Sequence, residues 1–246
     1  MQPDPYVIFA TPTLSSHVSY EFCGAMESAM SSLALSKIRS AHIFWPGLQF
    51  VDAARNALST QFLGEYPDGT DFFFVDDDVG GFTAEQVGKF VASPLDVIAG
   101  VPPLKGDRAV PEFPVHVASD DDGKPIMEGG LFLAYQIPLG FVRIKRAVLE
   151  RFASESQTYS IAHADGSLKV LFNIFDCGPK NGEFTGEDTT FCDKCRAAGI
   201  DIWVDPDIKF QHRGSKRWEA SLRDALRSYE AGQNPSAQVR KRRDAA

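Results

Sequence analysis

Short apolar runs alternate with segments of helical periodicity through the first half of this chain. That alternation constrains the fold more than any other feature, because strands interleaved with helices make an α/β layer fold. Tyr6 to Ala10 is a strand candidate closed by Thr11-Pro12-Thr13, and a helical pattern runs through Ala25 to Leu35. Ala41 to Trp45 is a second short strand, ended by Pro46-Gly47. Val51, Ala54, Leu58 and Phe62 recur at helical spacing, so one face of that segment is core. Asp71 to Val75 reads D-F-F-F-V, the most apolar strand, and runs straight into Asp76-Asp77-Asp78. Thr83 and Gln86 form a capping box for a helix reaching about Ala92, and Asp96 to Val101 is another buried strand.

Residues 102–138 read as loop, rich in Pro, Gly and Asp. A short helix, Lys145 to Phe152, follows Leu139-Gly140-Phe141. Asp188 to Ala198 is helical, with Gly199 as its stop. Ile200, Ile202 and Val204 alternate as in a half-buried strand. Trp218 to Gly232 is an amphipathic helix, and residues 233–246 are expected to form a disordered basic tail. The predicted class is α/β: a Rossmann-like central mixed sheet flanked by helices, as a single domain over 1–232. Its two halves are about 1–101 and a loop-rich 102–232.

A formal net charge of -8 argues against nucleic acid or an anionic membrane surface as a general partner. The basic run Arg240, Lys241, Arg242 and Arg243 is read as a solvated tail. No stretch approaches the roughly 18 to 20 apolar residues of a membrane helix, so stable membrane insertion is not expected. Met1 to Pro5 lacks a basic region leading into an apolar core. Four cysteines (Cys23, Cys177, Cys192 and Cys195) do not make a disulfide framework in a chain of 246 residues. A cytoplasmic location is the expectation.

Asp76, Asp77 and Asp78 carry the strongest chemical signal. Three adjacent carboxylates repel one another and need compensation. In extended chain Asp76 and Asp78 point to the same side and converge, and ligands of open α/β sheets bind at the carboxyl ends of strands. A hard cation, Mn²⁺ or Mg²⁺, suits clustered carboxylate oxygens and can hold a departing diphosphate. The competing reading is a helix-capping turn with solvated side chains. Asp120, Asp121 and Asp122 form a second triplet, but Gly123-Lys124-Pro125 follows it, and it is read as a turn.

Gly186-Glu187-Asp188 opens a helix, where acids are favoured by the dipole and need no further role. After the flexible loop 181–185, either carboxylate is also placed to take a proton from an attacking hydroxyl. His212 is either a structural histidine or a third ligand beside carboxylates. Arg213, Lys216 and Arg217 add positive charge nearby. Cys192 and Cys195 share a helical face and are read as buried thiols rather than a zinc or thiol-exchange pair.

In order, the chain presents T-P-T after the first strand, A-A-R-N in a helix, and F-F-F-V-D-D-D. These are followed by L-G-F-V-R-I-K-R-A-V-L-E-R-F, G-E-D-T-T-F-C and G-I-D-I-W-V-D-P-D-I-K-F-Q-H-R-G. This ordered set, spanning roughly Tyr6 to Gly214, resembles the GT-A-fold glycosyltransferases, especially the family 2-like group. The resemblance implies a metal-dependent transferase that moves a sugar from a nucleoside-diphosphate sugar to an acceptor hydroxyl on a glycan, protein or small molecule. It casts D-D-D as the Asp-X-Asp motif: Asp76 and Asp78 contact metal, diphosphate and ribose, with Asp77 beside them, and His212 completes the metal site. Thr11, Pro12 and Arg55 sit where the family holds base and ribose. Asp188 becomes the base of an inverting enzyme, with Glu187 near the acceptor. The segment from Val101 to Gly140 is too long to match, so no acceptor pocket is assigned. Two readings compete: a sugar-phosphate nucleotidyltransferase, disfavoured because the loop Thr11 to His17 has no lysine or arginine, and a non-catalytic carbohydrate-binding or scaffold protein of the same fold.

Overall fold

A computed structural model of the chain describes residues 4–14, 17–106, 111–162, 166–180, 182–214, 217–230 and 238–241. The elements of the first half are β1 (Tyr6–Thr13), α1 (Tyr20–Leu35), β2 (Arg39–Pro46), α2 (Val51–Glu65), β3 (Asp71–Val75), β4 (Val79–Gly80), α3 (Ala84–Ala92) and β5 (Val97–Gly100). Then come β6 (His116–Ser119), β7 (Met127–Glu128), β8 (Leu131–Gln136), β9 (Phe141–Lys145), α4 (Arg146–Glu155), β10 (Thr158–Ala162), β11 (Leu168–Phe172), β12 (Gly178–Lys180) and β13 (Glu183–Thr185). The last are α5 (Glu187–Ala197), β14 (Ile202–Asp205), β15 (Phe210–Arg213), β16 (Arg217–Ala220), α6 (Leu222–Glu230) and β17 (Gln238–Lys241).

The expected central mixed sheet is what the chain forms. Its strand order is β17-β6-β8-β14-β5-β9-β3-β1-β2. β1 lies parallel to β2 and β3, and β14 is parallel to β5. β9 is antiparallel to both β3 and β5, so β3 and β5 run in the same direction and end at the same edge. Helices cover both faces. Phe72 and Phe74 face Leu58 and Phe62 of α2 together with Phe152, Phe191 and Cys192. Phe73 and Val75 face the other way, onto Phe22 and Met26 of α1 and Val87 and Phe90 of α3. Side chains alternate along a strand, so a strand covered on both faces reads as one unbroken apolar run.

Arg143 of β9 points into that second layer and is fully buried. Its guanidinium donates to the carbonyls of Phe90 and Ser93, each at 3.0 Å from Nη2. The Phe90 carbonyl also accepts from the Ser93 amide at 3.2 Å, so Arg143 closes the end of α3 together with the main chain. Burial pulls Arg143 down to about 10, opposed by Asp71 and Asp96. Asp71 lies 3.6 Å from Arg143 and 2.8 Å from Lys145.

Three sequence expectations are corrected. Residues 102–138 are not simply loop, because β6, β7 and β8 lie within them and carry the sheet beyond β14. Trp218 does not begin a helix: it pairs with His212 in the β15–β16 hairpin, and α6 starts after Ser221, whose hydroxyl accepts from the Asp224 amide at 3.3 Å. Pairing with β15 outcompetes helical propensity there. Within the tail expected to be disordered, Gln238–Lys241 pairs in parallel with β6, an edge that would otherwise present unpaired peptide groups. The rest of 233–246 lies outside the described residues, as does Lys216. Among the described residues no helix is long and apolar enough to cross a membrane.

Candidate functional site

β3, β5 and β14 share a direction, so the segments that follow them emerge at one edge of the sheet. Those segments carry Asp76–Asp78, then Pro103 and Lys105, then His212. α2 follows β2 and α5 precedes β14, which brings the first turns of both helices to the same edge. The edge where parallel strands end is where open α/β sheets bind ligands.

At Val75 the chain leaves the strand and turns. The amide of Val79 donates to the Asp76 carbonyl at 3.1 Å, a β-turn with Asp77 and Asp78 at its centre. This overturns the expected convergence of Asp76 and Asp78, because same-side alternation holds only while the chain stays extended. The two carboxylates diverge and acquire different partners.

Asp76 faces Arg55. The Arg55 Nη2 donates to both oxygens of Asp76, at 3.1 and 3.3 Å, and Nη1 donates to the Leu139 carbonyl at 3.3 Å. Nε donates to Glu187 at 3.4 Å, and the guanidinium lies 4.8 Å above the Phe74 ring. Only 4% of the Arg55 side chain is exposed, so it ties Asp76 to Glu187 from beneath and is not offered to a nucleotide. The Asp76 amide donates to Gly140, and a Cβ at Gly140 would sit 2.9 Å from Asp76 Oδ2. The glycine of the L-G-F motif leaves room for that carboxylate.

Asp78 faces His212 and Lys105. His212 Nε2 lies 3.4 Å from Asp78 Oδ1, and Lys105 pairs with Asp78 Oδ2. β15 is held there by β4, with His212 opposite Val79, and by the Arg213 amide donating to the Asp78 carbonyl at 2.8 Å. His212 Nδ1 lies 2.6 Å from the Pro103 carbonyl. A carbonyl only accepts, so Nδ1 carries the proton, and in the neutral ring Nε2 turns a lone pair toward the carboxylate. Two acceptors face to face suit a cation between them. Burial pushes Asp78 up, but the adjoining His212 ring and Lys105 ammonium outweigh it and hold the carboxyl below its ordinary range. Asp77 moves the opposite way: burial raises it, the Thr13 hydroxyl pulls it down, and Asp78 and Asp76 raise it further.

Thr11 is wholly buried, and Pro12 is buried beside it within β1. The Thr11 hydroxyl donates to the Val75 carbonyl at 2.8 Å and so accepts from His42 Nε2 at 2.9 Å, which gives His42 its tautomer. Burial lowers His42 to about 4. Neither Thr11 nor Pro12 presents a side chain outward for base or ribose. Asp188 Oδ1 accepts from the Thr189 amide at 2.6 Å, within its own turn. Asp120 Oδ1 accepts from the amides of Asp122 and Lys124, the turn chemistry expected of the second triplet. Cys192 and Cys195 are buried free thiols, and burial pushes Cys192 up to about 12.

Among the described residues no three His, Cys, Asp or Glu side chains gather as a metal cluster. The donor set nevertheless fits a cation in part. Asp78 and His212 form a carboxylate–imidazole pair, while Asp76 does not join them. Sequence reasoning missed Lys105 and the Pro103 carbonyl, which sit in a loop of no recognisable pattern. It also missed the inward role of Arg55.

No family model matches the chain, and no curated protein matches it. Solved structures do. The crystal structure of A197 from STIV matches with a TM-score of 0.50 at 19% identity, over 88% of this chain and 90% of that one. A glycosyltransferase involved in the glycosylation of the major capsid of PBCV-1 matches with a TM-score of 0.33 at 10% identity, over 60% of this chain and 63% of that one. The first likeness is one of overall fold, and the second is too loose to carry an argument about function.

Proposed function

We propose that the chain is a GT-A-like, metal-dependent glycosyltransferase that takes its sugar from a nucleoside-diphosphate sugar and passes it to an acceptor hydroxyl. One observation carries the reading: the Asp78 carboxylate and the lone-pair nitrogen of His212, 134 positions apart in the chain, meet at 3.4 Å where parallel strands end. Such a pair suits Mn²⁺ or Mg²⁺, whose remaining positions water and diphosphate oxygens can fill. When bound, the ion supplies positive charge to the departing diphosphate. Asp76 serves indirectly: with Arg55 and Glu187 it braces the turn against α5. Arg55 is therefore a positioning residue, and Glu187, committed to its guanidinium, is one too. Asp188 is the better base for the acceptor proton, because its bonds are confined to its own turn.

The direct test incubates the chain with Mn²⁺ and a panel of nucleotide sugars, measuring nucleoside diphosphate release. One donor is expected to be cleaved. Asp78→Ala then lowers turnover about a hundredfold or more at an unchanged melting temperature. Asp188→Asn lowers transfer about a hundredfold while leaving donor binding intact. Full activity of Asp78→Ala removes the metal role, and full activity of Asp188→Asn removes the base. The scaffold reading has one observation in its favour, the internal pairing of Asp76 with Arg55. It predicts no release from any donor.

A further inference from the structure

The two outer carboxylates of the triplet are neutralised by cations of opposite character. Asp76 has Arg55, whose side chain is 4% exposed and held through Nη1, Nη2 and Nε. Asp78 has Lys105, whose side chain is 37% exposed. An arginine fork is rigid and geometrically committed, whereas a lysine is a point charge on a flexible four-carbon stem. Half-exposed lysine pairs are screened and cheap to exchange. The lysine stem runs past Gly214, where a Cβ would lie 2.8 Å from the Trp218 ring and 3.2 Å from Lys105 Cδ. Two residues earlier, the Pro103 carbonyl fixes the tautomer of His212. The first few residues after β5 thus set the ring that faces Asp78 and supply the cation that neutralises it.

We propose that Lys105 is a displaceable counter-ion, which holds Asp78 while the site is empty and turns to the donor diphosphate when a divalent cation takes the carboxylate. The proposal rests on the glycosyl-transfer reading. Arg55 keeps its place throughout, so the triplet has one permanent cation and one exchangeable one. The consequence is a pair of effects of opposite sign. Lys105 competes with the metal for Asp78 and assists the diphosphate.

The test uses the full chain, wild type against Lys105→Met, which keeps the stem on Gly214 and removes the charge. Lys105→Ala is the second variant, and circular dichroism checks both folds. Free Mn²⁺ is read by electron paramagnetic resonance, without nucleotide and then with UDP, GDP, ADP and CDP. Without nucleotide, Lys105→Met is expected to bind Mn²⁺ about fivefold tighter. At saturating Mn²⁺ it is expected to bind the preferred nucleoside diphosphate about fivefold more weakly. If the wild type binds both ligands and the variants shift neither, or weaken both together, the lysine role alone is overturned. If the wild type binds no Mn²⁺ with any of the four nucleotides, the transfer reading falls and takes this inference with it.

Discussion

Arg55, Lys105 and His42 are each decided by how far the fold removes them from water. Arg55 is buried beneath the triplet with all three guanidinium nitrogens engaged, whereas the part-exposed Lys105 pair contributes at most about 1 kcal/mol to stability. His42 sits between Thr11 and the rings of Phe9, Phe22 and Phe44. Burial lowers it from 6.5 to about 4, so the folded chain resists protonating it more than the unfolded chain does. Its contribution is therefore fully present above pH 6.5 and is lost as pH falls toward 4, with an upper bound of about 3 kcal/mol. Urea unfolding of wild type and His42→Phe at several pH values checks this: the variant should lose part of the acid sensitivity in that window. Parallel curves for the two proteins would rule His42 out as a source of it.

At the level of elements, β9 does more than fill the gap between β3 and β5. Its Arg143 closes the end of α3 through the carbonyls of Phe90 and Ser93 and neutralises buried Asp71 with help from Lys145. Replacing Arg143 with Met removes the side-chain donor from both carbonyls, of which Phe90 keeps the Ser93 amide, and leaves buried Asp71 with Lys145 as its cation. It should cost about 3 to 5 kcal/mol in chemical denaturation. A loss below about 1 kcal/mol would mean that water or Lys145 can take over. The acidic turn after β3 is also an element-level result. In extended chain Asp76 and Asp78 would share one face, and the Asp76–Val79 hydrogen bond separates them.

For the molecule as a whole, the proposed function makes ligand binding and stability one measurement. Any ligand that binds the folded chain alone raises its melting temperature. Mn²⁺ with the preferred nucleoside diphosphate, at about a hundred times its dissociation constant, should stabilise by about 2.7 kcal/mol. For a chain of this size that is about 5 to 10 °C. Asp78→Ala should abolish the metal-dependent part of the shift. An equal shift with nucleotide alone would count against the metal.

The apolar runs determined β1, β2, β3, β5 and β14, and local rules determined the capping box at Thr83, the stop at Gly199 and the turn at Asp120. Each depends on neighbours within a few residues, so it is written in the order of the chain. D-F-F-F-V announced a buried strand, and the triplet and His212 were legible as chemistry. Their pairing was not. Which carboxylate meets Arg55 and which meets His212 and Lys105 depends on a turn at Asp76 and on three strands that end at one edge. Within 102–138, β6 and β7 were missed because they are short and β8 because Gly129-Gly130 and Pro138 frame it as loop, and Trp218 was misread because pairing with β15 is a long-range contact. Charge compensation at the site was decided by tertiary structure alone, because a carboxylate takes whichever cation the packing brings within about 3 to 4 Å, and sequence separation says nothing of that distance.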